Sequence, residues 1–101
     1  MYRIDPSRWE ASGTASDKLA YLEGVILQQT RSNNGKCFIV HFDNFLDEDV
    51  DELRGMMPRL VNTLNSCDAC HYYKESQADG GRPAIVVDTR GALDANNLRT
   101  V

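Results

Sequence analysis

Residues 36–43, Lys-Cys-Phe-Ile-Val-His-Phe-Asp, constrain the fold more than any other stretch. Phe38, Val40 and Phe42 fall on one side of an extended chain, and Cys37, Ile39 and His41 on the other. Both sides begin apolar, which predicts an interior strand rather than a solvated edge. A helical pattern flanks it on each side. Upstream, Ala15, Leu19, Leu22 and Ile26 recur at helical spacing, and Val25 and Leu27 widen the stripe. Thr14 with Asp17 three residues on is a weak capping box that starts this helix. Asn33-Asn34-Gly35 tolerates positive φ and ends it.

Downstream, Val50, Leu53, Met57, Leu60, Val61 and Leu64 form a second stripe. Asp47 is expected as its N-cap and Leu46 as a hydrophobic staple. Pro58 lies inside this stripe, removes one backbone donor and predicts a kink. Residues 69–76 and 84–88 read as strands joined through Asp79-Gly80-Gly81, a hairpin. Residues 1–13, with Pro6, Ser7, Ser12 and Gly13, read as an irregular arm with a short edge strand at Tyr2–Ile4, anchored by the single Trp, Trp9. Residues 89–101 read as a short helix or a loose tail.

The expected fold is therefore α+β: two helices on one face of a small, mainly antiparallel sheet, in the order α-β-α-β-β. With 101 residues it is expected to be one domain. The hydrophobic share of 42% and charged share of 26% argue against wholesale disorder.

The net charge of −4, with scattered basic residues, argues against direct nucleic-acid binding. No apolar run is long enough to span a membrane. The first residues lack the apolar stretch of a secretory signal, and three cysteines is an odd count. Both features favour a reducing cytoplasm.

Cys67-Asp68-Ala69-Cys70-His71 is the one string with a chemical spelling. It resembles the haem-attachment string of c-type cytochromes over these five residues. The resemblance implies thioether links from Cys67 and Cys70, His71 on the iron, and a second axial ligand from Met56, Met57, His41 or Met1. The same thiols and imidazole suit zinc, with Cys37 and His41 as further donors. They also suit a redox dithiol, although such a pair works best at a helix N-terminus. The string lies where a helix ends and a strand begins, which favours a structural role, and no cofactor is assigned.

Other constellations are weaker. Cys37, His41 and Asp43 are the residue types of nucleophile, base and orienter, but a strand holds Cys37 and His41 well apart. Asp88-Thr89-Arg90-Gly91 has Arg where an Asp-Thr-Gly turn needs Gly. The carboxylates between Asp43 and Glu52 lack the spacing of a calcium loop.

No residue set reads as an enzyme. The expected function is a non-catalytic protein-binding domain of the inhibitor, adaptor or regulatory kind. Asp47, Glu48, Asp49, Asp51 and Glu52, with Tyr72 and Tyr73 taken as exposed, are the expected contacts. The partner is a protein with a basic surface, such as a component of a nucleic-acid-binding machine. Self-association as a homodimer is compatible with an unpaired sheet edge.

Overall fold

The computed structural model describes residues 2–68, 70–77 and 81–90. Among them four strands, β1 (Tyr2–Arg3), β2 (Cys37–His41), β3 (Tyr72–Gln77) and β4 (Pro83–Asp88), form one sheet in the order β1-β2-β4-β3. Only β1 runs parallel to its neighbour, and the other two pairings are antiparallel. Among the described residues three helices pack with this sheet: α1 (Pro6–Ala11), α2 (Ala15–Ser32) and α3 (Asp47–Cys67). The mainly antiparallel α+β architecture expected from the sequence is present, including the N-terminal edge strand.

Alternation explains which side of the sheet is covered. Phe38 and Val40 of β2, Ile85 and Val87 of β4 and Tyr73 of β3 are buried against α2 and α3. Leu22 and Ile26 of α2 meet them, as do Leu53, Met57, Leu60 and Leu64 of α3. Cys37 and Ile39 point the other way and are exposed, as are Tyr72 and Lys74. β2 is interior in strand order, flanked by β1 and β4, but its second face is open to solvent.

Local chemistry sets the helix ends. Thr14 caps α2 as expected, its Oγ1 accepting from the Asp17 N–H at 3.1 Å. Gly35, at φ +85°, turns the chain after α2 into β2. α3 continues through Pro58, and Leu60 and Leu64 stay in phase beyond it.

Three expectations are corrected. The arm 1–13 is not wholly irregular: Pro6–Ala11 is helical, with Asp5 as N-cap accepting from the Ser7 N–H at 2.9 Å and Pro6 at the first helical position. Asp47 is not the N-cap of α3. The cap position is Leu46, whose backbone is still extended and whose carbonyl accepts from Asp49 and Val50; Asp47 is already the first helical residue, and its carboxylate bonds to Arg82 at 2.5 Å. Leu46 is 54% exposed and so staples nothing.

At the far end, Thr89 is buried rather than loose. Its N–H donates to the Lys36 carbonyl at 3.0 Å, and its Oγ1 accepts from the Lys36 N–H at 2.7 Å. The rest of the expected C-terminal helix or tail, 91–101, lies outside the described residues, as do 78–80 of the hairpin loop.

Candidate functional site

The residues singled out by sequence fall at the two ends of α3. The helix has 21 residues, and at 1.5 Å per residue its ends lie about 30 Å apart. Asp47, Glu48, Asp51 and Glu52 are exposed at its start, around the exposed Leu46. Arg82 pairs with Asp47, and Lys18 with Glu52 at 2.8 Å.

Asp49 is turned inward, toward α1. It faces Glu10, and if both are ionised neither can donate, so the buried Asp49 Oδ2 is left without a partner. A hydrogen bond to Asp49 holds the Glu10 proton to higher pH than an ordinary carboxyl does. Partial desolvation and the charges of Asp49 and Glu48 add to this, and Lys18 opposes it.

The folded chain thus binds more protons than the unfolded one between the ordinary carboxyl pKa and the raised value. Stability falls as pH rises through that window. Glu10→Gln is expected to raise the melting temperature at pH 7 and to leave it near wild type at pH 4. Equal shifts at both pH values would show that the two carboxyls do not interact.

The tyrosines do not join this acidic end. Tyr72 is 60% exposed but pairs with Asp88, whereas the Asp47 partner Arg82 precedes Pro83, which pairs with Gln77. Five residues of strand separate the two, about 17 Å. Tyr73, expected as an exposed contact, is 1% exposed. β3 alternates, and pairing Tyr73 with the buried Val87 fixes it on the helix-covered face.

Cys67, Asp68, Cys70 and His71 line one cavity of about 260 Å³ at the end of α3, together with Leu27 and Arg31 of α2. Asp68 is its hub. The carboxylate Oδ2 lies 2.7 Å from His71 Nδ1 and 2.6 Å from the Tyr73 hydroxyl, and the Cys70 backbone N–H also donates to it. Burial alone would push the Asp68 carboxyl up. The bonds from Tyr73, His71 and Cys70 outweigh it and hold the group below the usual carboxylate range.

An ionised carboxylate only accepts, so His71 Nδ1 carries a proton and donates it to Asp68. Below, Tyr73 also reaches Thr30 Oγ1 at 3.1 Å, and Thr30 donates to the Ile26 carbonyl at 2.8 Å. Asn65 clamps the Tyr73 backbone, its Nδ2 donating to the carbonyl and its Oδ1 accepting from the N–H, both at 3.0 Å. Cys67 and Cys70 are free and exposed.

Asp68 and Asn65 are the site residues that sequence reasoning missed, and Tyr73 was singled out for an exposed contact rather than for this buried role. The available signal was Asn65, a polar residue in phase with Val61 on the stripe of α3.

The further donors suggested by sequence are not gathered here. Met56 and Met57 lie eleven and ten residues back along α3 from Cys67, about 15 Å. Met57 is in the core, and Met56 lines a different groove of about 480 Å³ with Ala15, Leu19 and Arg59. His41 pairs with Ala84 near the opposite end of the sheet, and Cys37 sits on the uncovered face. Met1 lies outside the described residues.

Among the described residues, no group of three or more His, Cys, Asp or Glu is placed to hold a metal ion. No described helix is long and apolar enough to cross a membrane. Comparison with known proteins finds no matching family model, curated relative or solved structure.

Proposed function

We propose that this chain is a small, non-catalytic protein-binding domain that docks a basic protein surface on the exposed start of α3. The observation that carries this reading is Leu46, an apolar side chain 54% exposed at the start of a helix whose first turns also expose Asp47, Glu48, Asp51 and Glu52. Burying a leucine fully contributes about 1.5–3 kcal/mol, so roughly half of that is available to a partner that covers it. The surrounding carboxylates steer a cationic surface and reject an acidic one. Arg82 and Lys18 pair with Asp47 and Glu52, and the remaining Glu48 and Asp51 still outnumber the half-charge at the positive end of the helix, so the patch stays negative. Components of nucleic-acid-binding machines carry surfaces of the matching sign.

The test is to capture the partner by cross-linking and titrate it against defined variants. Glu48→Lys with Asp51→Lys should weaken binding at least about tenfold, and added salt should weaken the wild-type complex. Leu46→Ala should weaken it several-fold, while Tyr72→Ala, at the other end of the sheet, should leave it unchanged. An affinity for the charge-reversed chain within twofold of wild type would overturn the proposal.

A further inference from the structure

We propose that Asn65 closes the free edge of the sheet, standing in for a further strand and so keeping β3 from pairing with the β3 of a second copy of this chain. This is independent of the acidic start of α3, because Asn65 lies in the last turn of that helix. β3 ends the strand order β1-β2-β4-β3, and among the described residues no strand pairs with its outer side. A six-residue edge of this kind is a ready template for another strand.

The pairing register fixes which backbone groups face outward. In an antiparallel pair, alternate residues bond across to the neighbour, and those between turn their N–H and C=O the other way. The Tyr73 N–H and carbonyl both bond to Asn65, at 3.0 Å each, and so face away from Val87. Glu75 and Gln77 share that phase, and Gln77 stands opposite Pro83, which has no N–H to give. Tyr73, Glu75 and Gln77 therefore make the outer edge. An added strand would bring one acceptor and one donor to each of them. The Asn65 carboxamide brings that same pair to Tyr73 from one side chain.

What stays open is Glu75 and Gln77, both exposed and together shorter than an ordinary strand. A second copy related by a two-fold axis must continue the covered face with its own covered face, so residues that stand opposite are both odd or both even in number. The register that uses all three outward residues sets Tyr73 opposite Gln77 of the second copy, and Glu75 opposite its own counterpart. Asn65 of each copy blocks one end of that ladder. The two facing carboxylates oppose its centre. Asn65 and Glu75 thus act as two locks on one edge.

The experiment uses the full chain, with sedimentation velocity over a concentration series and amide hydrogen exchange read by NMR. Wild type should sediment as a monomer at every concentration. Its Tyr73 amide should exchange at least about tenfold more slowly than those of Glu75 and Gln77, since only Tyr73 has a bonding partner. Asn65→Ala combined with Glu75→Thr opens both locks. It should form dimers whose share rises with concentration and should gain protection at residues 75 and 77. Replacing Glu75→Thr by Glu75→Pro in that double variant removes an outward N–H that β4 does not use, and should return the chain to monomer.

Asn65→Ala loses two hydrogen bonds, so circular dichroism is used to confirm that each variant is folded. The exchange pattern of wild type needs no variant and tests the closed edge directly. Wild-type amides at Glu75 and Gln77 as protected as that of Tyr73 would show the edge already occupied and overturn the proposal. A folded Asn65→Ala, Glu75→Thr chain that stays monomeric would overturn it too, as would a dimer that Glu75→Pro does not dissociate.

Discussion

Trp9→Ala should cost about 3–5 kcal/mol of folding stability, measured by urea denaturation followed by circular dichroism. The indole is completely buried, although it belongs to a six-residue helix near the chain start. Its ring stands 5.1 Å from Phe45, which in turn meets Phe42 edge-on at 5.5 Å. Lys18 Nζ lies 4.3 Å above the indole while bonding to Glu52, so one ammonium joins α2, α3 and the Trp9 face.

Removing the ring opens a cavity in the middle of that stack and frees α1 from the body. Typical domains have only about 5–15 kcal/mol in hand, so much of the total is at stake. Trp9→Phe should recover more than half of the loss, because the aromatic contact with Phe45 survives. Lys18→Ala should cost far less than Trp9→Ala, since the Glu52 end of its ion pair is 43% exposed. A loss below about 1 kcal/mol for Trp9→Ala would mean that the first eleven residues are not part of the cooperative fold.

That helix marks where the sequence was hard to read. α2 and α3 announce themselves because each repeats a buried position over several turns. α1 has only two turns and buries Trp9 alone, so no periodicity can emerge. What remained was end chemistry: Asp5 followed by Pro6 is an N-cap followed by a proline at the first helical position.

The hairpin strands were legible from composition, but their register was not. Tyr72 and Tyr73 are neighbours that must face opposite ways, and only pairing with β4 decides which is inside. The acidic patch was legible as a charge cluster, yet its distance from Tyr72 follows from strand order and helix length. Likewise the bond from Asp68 to His71 depends on the turn after α3, in which the His71 N–H donates to the Asp68 carbonyl at 3.3 Å. No periodic pattern encodes that turn.

Tyr73→Phe should destabilise the fold by about 1.5–3 kcal/mol, the range for a hydrogen bond to a charged group. The ring is retained, so the apolar packing with Val87 and Leu64 is kept and the loss is assigned to one oxygen. That oxygen is a donor throughout the physiological range, because burial and the neighbouring Asp68 carboxylate push its ionisation far above the ordinary phenol value.

Without it, Asp68 keeps His71 and the Cys70 N–H as donors among the described residues, while its carboxylate stays largely out of solvent. Asp68→Asn removes the charge from the other side of the same bond. If the two groups act as a unit, the double variant should lose less than the sum of the single losses, by about 0.5–3 kcal/mol. Tyr72→Phe, on the uncovered face, serves as control and should lie within about 0.5 kcal/mol of wild type. A Tyr73→Phe chain as stable as that control would place the hydroxyl in water and dissolve the link between the end of α3 and Thr30 of α2. A large single loss with no coupling to Asp68 would instead assign the energy to Thr30, whose hydroxyl is buried beneath the ring.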